Sequence, residues 1–178
     1  MSTYTFEIQT DVAAAPDFVW RQATDMRSVN LELSPLIRMT YPWQLRDLNA
    51  AATLLRHRLF RSWILLFGVL PIDFYGITFV AIEPGRRFLE RSSTLNYRLW
   101  QHERVIETRP SGTRIIDRLV ITPRLRFLGP PLRGFVRALF NLRHKNLLKR
   151  FGAATPHRSL TDHDDLKGGR ATEEILVL

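Results

Sequence analysis

The 178-residue chain has no cysteine. That absence removes thiolate nucleophiles, thiolate metal sites and disulfides together. Lysine is scarce: Lys145, Lys149 and Lys167 are the only three, so the formal charge of +9 rests on arginine. Long apolar runs are missing as well. The longest, Trp63 to Ile72, is broken by Gly68 and Pro71 and reaches only about half the length of a membrane-spanning helix. Met1 to Val12 contains no basic segment followed by an apolar core, so no secretion signal is read there and a cytoplasmic location is expected. Serine-nucleophile, zinc-protease, phosphate-loop and dinucleotide-loop motifs are all lacking. No cofactor is expected. His57, His144, His157 and His163 are too scattered for a metal cluster. Asp162-His163-Asp164-Asp165 offers hard ligands, but in a segment expected to be a tail, so no metal is expected either.

The length fits one domain able to bury a continuous core. The alternation of Tyr4, Phe6, Ile8 and Val12 marks a first strand. Pro16 and Asp17 open a short helix running to about Asp25, and a second, from about Ser28 through Glu32, stops at Pro35. Leu36 to Tyr41, Phe60 to Leu66, Ile77 to Ile82, Arg87 to Ser92, Tyr97 to Thr108 and Thr113 to Thr122 read as strands. Turns at Glu83-Pro84-Gly85-Arg86 and Arg109-Pro110-Ser111-Gly112 make this an antiparallel meander. After Gly129-Pro130-Pro131 comes one long helix, Leu132 to Phe151, with a stripe at Leu132, Phe135, Val136, Leu139, Phe140, Leu147, Leu148 and Phe151. The domain is expected over residues 1–152. Residues 153–178, polar until the apolar Ile175-Leu176-Val177-Leu178, are expected to be a disordered or docking tail.

Ionisable residues stand among apolar ones in three neighbouring strands: Glu90, then His102, Glu103 and Arg104, then Asp117 and Arg118. Trp100, His102 and Arg104 share one strand face. With that face concave, His102 and Arg104 enter a pocket and Glu90 and Asp117 offset their charge. The competing reading is cross-strand ion pairing on a solvated face. His144 lies on the apolar stripe of the long helix, either as the polar end of a pocket wall or as a core histidine capped by a backbone carbonyl or strand hydroxyl. Trp63, Phe67, Phe74, Tyr75, Phe79 and Phe88 crowd the middle of the chain, lining a cavity or filling a core.

The order strand, two short helices, antiparallel strands, long terminal helix resembles the helix-grip fold of the START-like superfamily, also called SRPBCC, which includes polyketide cyclases and lipid carriers. Ser62 to Pro71, Phe88 to Ser92, Trp100 to Arg104 and Phe140 to His144 are similar to segments of bacterial ligand-binding members. The resemblance covers about Thr3 to Gly152 and implies an α+β fold: a curved antiparallel sheet gripping the long helix around a hydrophobic cavity. It transfers no catalytic residue. The expected cavity residues are Trp63, Phe67, Phe79, Phe88, Glu90, Trp100, His102, Arg104, Asp117, Phe135, Leu139 and His144. The leading expectation is a non-enzymatic carrier or sensor whose partner is a small hydrophobic molecule, lipid or polyketide-like. The alternative is an aromatase, cyclase or dehydratase with His102 as acid or base and Arg104 holding an enolate or carboxylate. A basic surface for membranes or nucleic acid rests on charge alone; no specific nucleic-acid partner is expected.

Overall fold

The computed structural model describes residues 2–48 and 55–154. Strands β1 (Tyr4–Val12), β2 (Ile37–Met39), β3 (Arg58–Leu66), β4 (Leu70–Glu83), β5 (Arg87–Thr94), β6 (Tyr97–Arg109) and β7 (Gly112–Pro123) form one antiparallel sheet in the order β1-β7-β6-β5-β4-β3-β2. Helices α1 (Pro16–Ala23) and α2 (Met26–Leu33) link β1 to β2, the two edges of that sheet, and α3 (Gly129–Phe151) packs against β1, β7 and α2. This is the expected α+β helix-grip, a half-barrel closed over a helix.

Register shifts at Arg58/Phe60 and Ile64/Leu65 in β3, Phe79/Ala81 in β4 and Tyr97/Leu99 in β6 interrupt the ladders. Each such irregularity bends a strand and increases its twist, which lets seven strands wrap around a helix. The β6–β7 turn brings Gly112 against β1. It has φ +141, and a Cβ there would lie 2.1 Å from the Val12 carbonyl oxygen, so only glycine fits. Gly152 ends α3 with φ 73 and donates its N–H to the Leu148 carbonyl.

Several boundaries differ from the sequence expectation, among them the start of α3 at Gly129 and the shorter β2. Helix α2 begins at Met26 because Asp25 caps it, accepting the N–H groups of Arg27 at 2.8 Å and Ser28 at 3.1 Å. Strand β4 begins at Leu70, seven residues before the expected start, and Pro71 pairs with Leu65 directly after the turn. Phe67 and Gly68 both take positive φ in that turn, which joins β3 and β4. Ala153 bridges to Val12, and the Ala154 N–H reaches the Asp11 carbonyl, so chain pairing continues past the expected domain end. The rest of the expected tail lies outside the described residues.

Candidate ligand cavity and buried ion network

Between the concave face of the sheet and α3 lies a cavity of about 600 Å³. Residues one helical turn apart place Leu132, Phe135, Val136, Leu139 and Phe140 of α3 on its wall, facing Met26, Val29 and Leu33 of α2. Strand alternation brings in Tyr75, Ile77 and Phe79 from β4, Phe88 and Glu90 from β5, and Trp100 and His102 from β6. The wall is apolar apart from a few groups, among them Asp73, Tyr75, Glu90, His102 and Arg143.

Behind the wall lies an ion network centred on Asp117 of β7. Arg104 grips it in two-pronged fashion, Nε to Oδ1 at 2.8 Å and Nη2 to Oδ2 at 2.7 Å. His102 Nε2 lies 2.9 Å from Oδ1 and His144 Nε2 3.0 Å from Oδ2. An ionised carboxylate only accepts, so both histidines donate from Nε2. His102 Nδ1 then faces Glu90 Oε2 at 3.8 Å, beyond hydrogen-bond length. The His102 ring is held edge-on between Phe88 and Phe140, with centroids 5.4 and 5.2 Å away.

Glu32 of α2 ties the network to the helices. Its Oε2 accepts from Arg104 Nη1 at 2.9 Å and Arg143 Nε at 2.6 Å. Asn146 of α3 fixes that end of α2 by donating to the carbonyls of Glu32 at 2.9 Å and Ser34 at 2.7 Å. Burial by itself opposes ionisation of both acids. For Asp117 the Arg104 guanidinium outweighs it and holds the carboxyl well below the usual aspartate range. Arg104 and Arg143 do the same for Glu32, which is lowered. On the cavity side the Ser92 hydroxyl donates to Glu90. Burial, followed by the charge of Glu90, pushes the Tyr75 phenol well above its ordinary value.

Of the expected cavity residues, Phe79, Phe88, Glu90, Trp100, His102, Phe135 and Leu139 line the cavity. Arg104, Asp117 and His144 do not reach it. Arg104 and Asp117 are fully buried behind the wall and bonded to each other, so Arg104 is not available to hold an enolate or carboxylate. His144 is bonded to a carboxylate, not to a carbonyl or hydroxyl. Trp63 and Phe67 also lie off the cavity. Strand alternation turns Ser62 and Ile64 inward and leaves Trp63 48% exposed, its ring 4.8 Å from Phe74, while Phe67 sits in the turn at 65%.

Glu32 and Arg143 are the network members the sequence reading misses. A signal for each exists. Glu32 sits three residues after Val29 on the buried face of α2, and Arg143 falls in the gap of the α3 stripe between Phe140 and Leu147. Among the described residues, no group of three or more His, Asp or Glu side chains is arranged to hold a metal, and no helix is long and apolar enough to cross a membrane.

A curved antiparallel sheet closed over a long terminal helix around a cavity defines the helix-grip fold. A protein from Chromobacterium violaceum shares it with TM-score 0.63 at 14% identity, over 83% of this chain and 96% of that one. An aromatase/cyclase from Streptomyces gives 0.62 at 12% identity, over 84% and 93%. A START superfamily protein from Mycobacterium smegmatis gives 0.56 at 11% identity, over 84% and 96%. No curated protein matches the chain in sequence. Residues 10–151 match the family described as "Domain of unknown function (DUF8410)", and the chain belongs to it.

Proposed function

We propose that the protein binds a small hydrophobic molecule, lipid or polyketide-like, between the sheet and α3, as a carrier or sensor. The observation that carries this reading is the cavity of about 600 Å³ with a mostly apolar wall, a size that suits one small molecule. Water displaced from such walls supplies most of the affinity. Native mass spectrometry of protein purified from its own host is expected to show a bound apolar molecule. Repeatedly empty spectra, together with no uptake of an apolar fluorophore such as N-phenyl-1-naphthylamine, would overturn the reading.

One observation favours a second reading, proton-transfer chemistry. His102 is on the cavity wall, oriented by Asp117 from behind and facing Glu90 in front, an arrangement suited to an acid or base. One of the solved structures sharing the fold is named an aromatase/cyclase. On this reading His102→Ala abolishes turnover of a polyketide-like substrate with fluorophore affinity kept; unchanged turnover removes His102 from the mechanism. The carrier reading expects His102→Ala to leave binding of an apolar fluorophore largely intact.

A further inference from the structure

Arg143 is a buried arginine with most of its donors unused. Its Nε donates to Glu32 Oε2 at 2.6 Å, its guanidinium carbon lies 5.5 Å from the centre of the Phe140 ring, and its side chain is only 6% exposed. Among the described residues, Nη1 and Nη2 have no hydrogen-bond partner. Nor do they belong to the polar atoms sealed away without one, which are Glu32 Oε1, Trp100 Nε1 and His144 Nδ1. The space left to them is the cavity, because Arg143 is part of its wall. Arginine does not escape by losing its proton. Terminal N–H groups left dry without an acceptor lose their hydration with nothing in return. An apolar ligand that fills the cavity must therefore either bring an oxygen to Arg143 or bear that cost.

The charges around Arg143 decide what kind of oxygen. Arg104 and Arg143 are balanced by Asp117 and Glu32, each bonded to at least one of them. Among the described residues, the remaining ionisable groups on the cavity wall are the acids Asp73 and Glu90, the phenols Tyr75 and Tyr97, and the imidazole of His102. Asp73 is already held by the N–H groups of Phe74 and Leu95. A carboxylate headgroup would enter a balanced network beside two further acids, without a counter-charge of its own. An uncharged carbonyl accepts the same N–H bonds without that penalty.

We propose that Arg143 anchors an uncharged carbonyl oxygen, and that the cavity therefore takes a neutral apolar molecule carrying a ketone, quinone, ester or lactone group. This rests on the ligand-binding reading above. Leu139 and Phe140 lie one turn before Arg143 on α3 and Leu132 two turns further back, so the apolar body has roughly 16 Å of helix to lie along.

Three probes of nearly equal shape separate the outcomes: 2-acetylnaphthalene, 2-ethylnaphthalene and 2-naphthoate, each titrated against the full chain by displacement of N-phenyl-1-naphthylamine. The ketone is expected to bind about tenfold more tightly than either of the others. Arg143→Met is expected to erase its lead over the hydrocarbon, with hydrocarbon affinity rising because no terminal N–H groups are then left dry. Tighter binding of 2-naphthoate would overturn the uncharged headgroup. A ketone no better than the hydrocarbon, or one whose lead survives Arg143→Met, would remove Arg143 as the anchor. Should that variant fail to fold, the wild-type ranking of the three probes decides by itself. Binding of none of them, nor of the fluorophore, would overturn the ligand-binding reading and the anchor with it.

Discussion

On the outer face of β6 and β7, Glu103 pairs with Arg118; one residue along on the inner face, Arg104 pairs with Asp117. The outer pair belongs to a ladder running across the sheet. Arg118 meets Glu7 of β1 at 2.7 Å and Glu103 at 3.3 Å, and Arg87 of β5 meets Glu103 and Glu83 at 2.7 Å each. Arg118 and Glu7 are about half exposed, whereas Arg104 and Asp117 are shut away from water. The chemistry is the same and the solvent differs. Water screens the ladder and competes for its hydrogen bonds. In the network each charge depends on its neighbours, since nothing else solvates it.

The largest consequence is expected at Asp117. Asp117→Ala leaves Arg104 and Arg143 to share the single carboxylate of Glu32 and strips both histidines of their acceptor, so chemical denaturation should show a loss of about 3–5 kcal/mol or no folded protein. Joint replacement, Arg104→Met with Asp117→Leu, should recover a large part of that loss. A double variant as unstable as Asp117→Ala would show that an unpaired charge is not the cause.

Acid comes next. Asp117 and Glu32 have folded pKa values below their ordinary ones. A carboxyl that ionises more readily when folded contributes stability that is complete above its unfolded pKa, about 4 here. That contribution is lost as pH falls further, through the lower folded value. Stability measured by urea titration should therefore drop steeply below about pH 4. The Arg104→Met, Asp117→Leu variant should show a shallower acid branch, and an equally steep one would assign the acid sensitivity elsewhere.

The smallest effect is expected on the outer face. Arg118→Ala should cost no more than about 1 kcal/mol, and less as salt is added. A loss approaching that of Asp117→Ala would break the contrast between the two faces.

Most of the fold is legible in the sequence because its signals are local. The alternation of Tyr4, Phe6 and Ile8, the glycine turns and the stripe of α3 each report one element without reference to the others. The first half of β4 escapes, because Gly68 and Pro71 read as interruptions when in fact they belong to a turn and the strand start behind it. The site divides the same way. Glu90 and His102 sit in recognisable strands, and alternation places them on the wall once the concave face is known. Glu32 and Arg143 have only their spacing from apolar neighbours to mark them, and charge on a helix otherwise reads as solvent-facing. Their burial is decided by where α2 docks on α3, a contact between residues 111 apart in the chain. Trp63 and Phe67 err in the opposite direction: apolar character alone tells neither which side of β3 faces the cavity nor that Phe67 falls in the turn beyond it.

The alternation of charge pairs also bears on how the chain finds its pairing. In the native register Arg104 faces Asp117 and Glu103 faces Arg118. Sliding β7 by one residue in one direction sets Arg104 opposite Arg118. Sliding it the other way sets Glu103 opposite Asp117. Both neighbouring registers confront like charges, besides turning Ile115, Leu119 and Ile121 out of the core. The residues that look like a site thus also serve as an alignment key between the two longest-paired strands, favouring the native register over both of its neighbours.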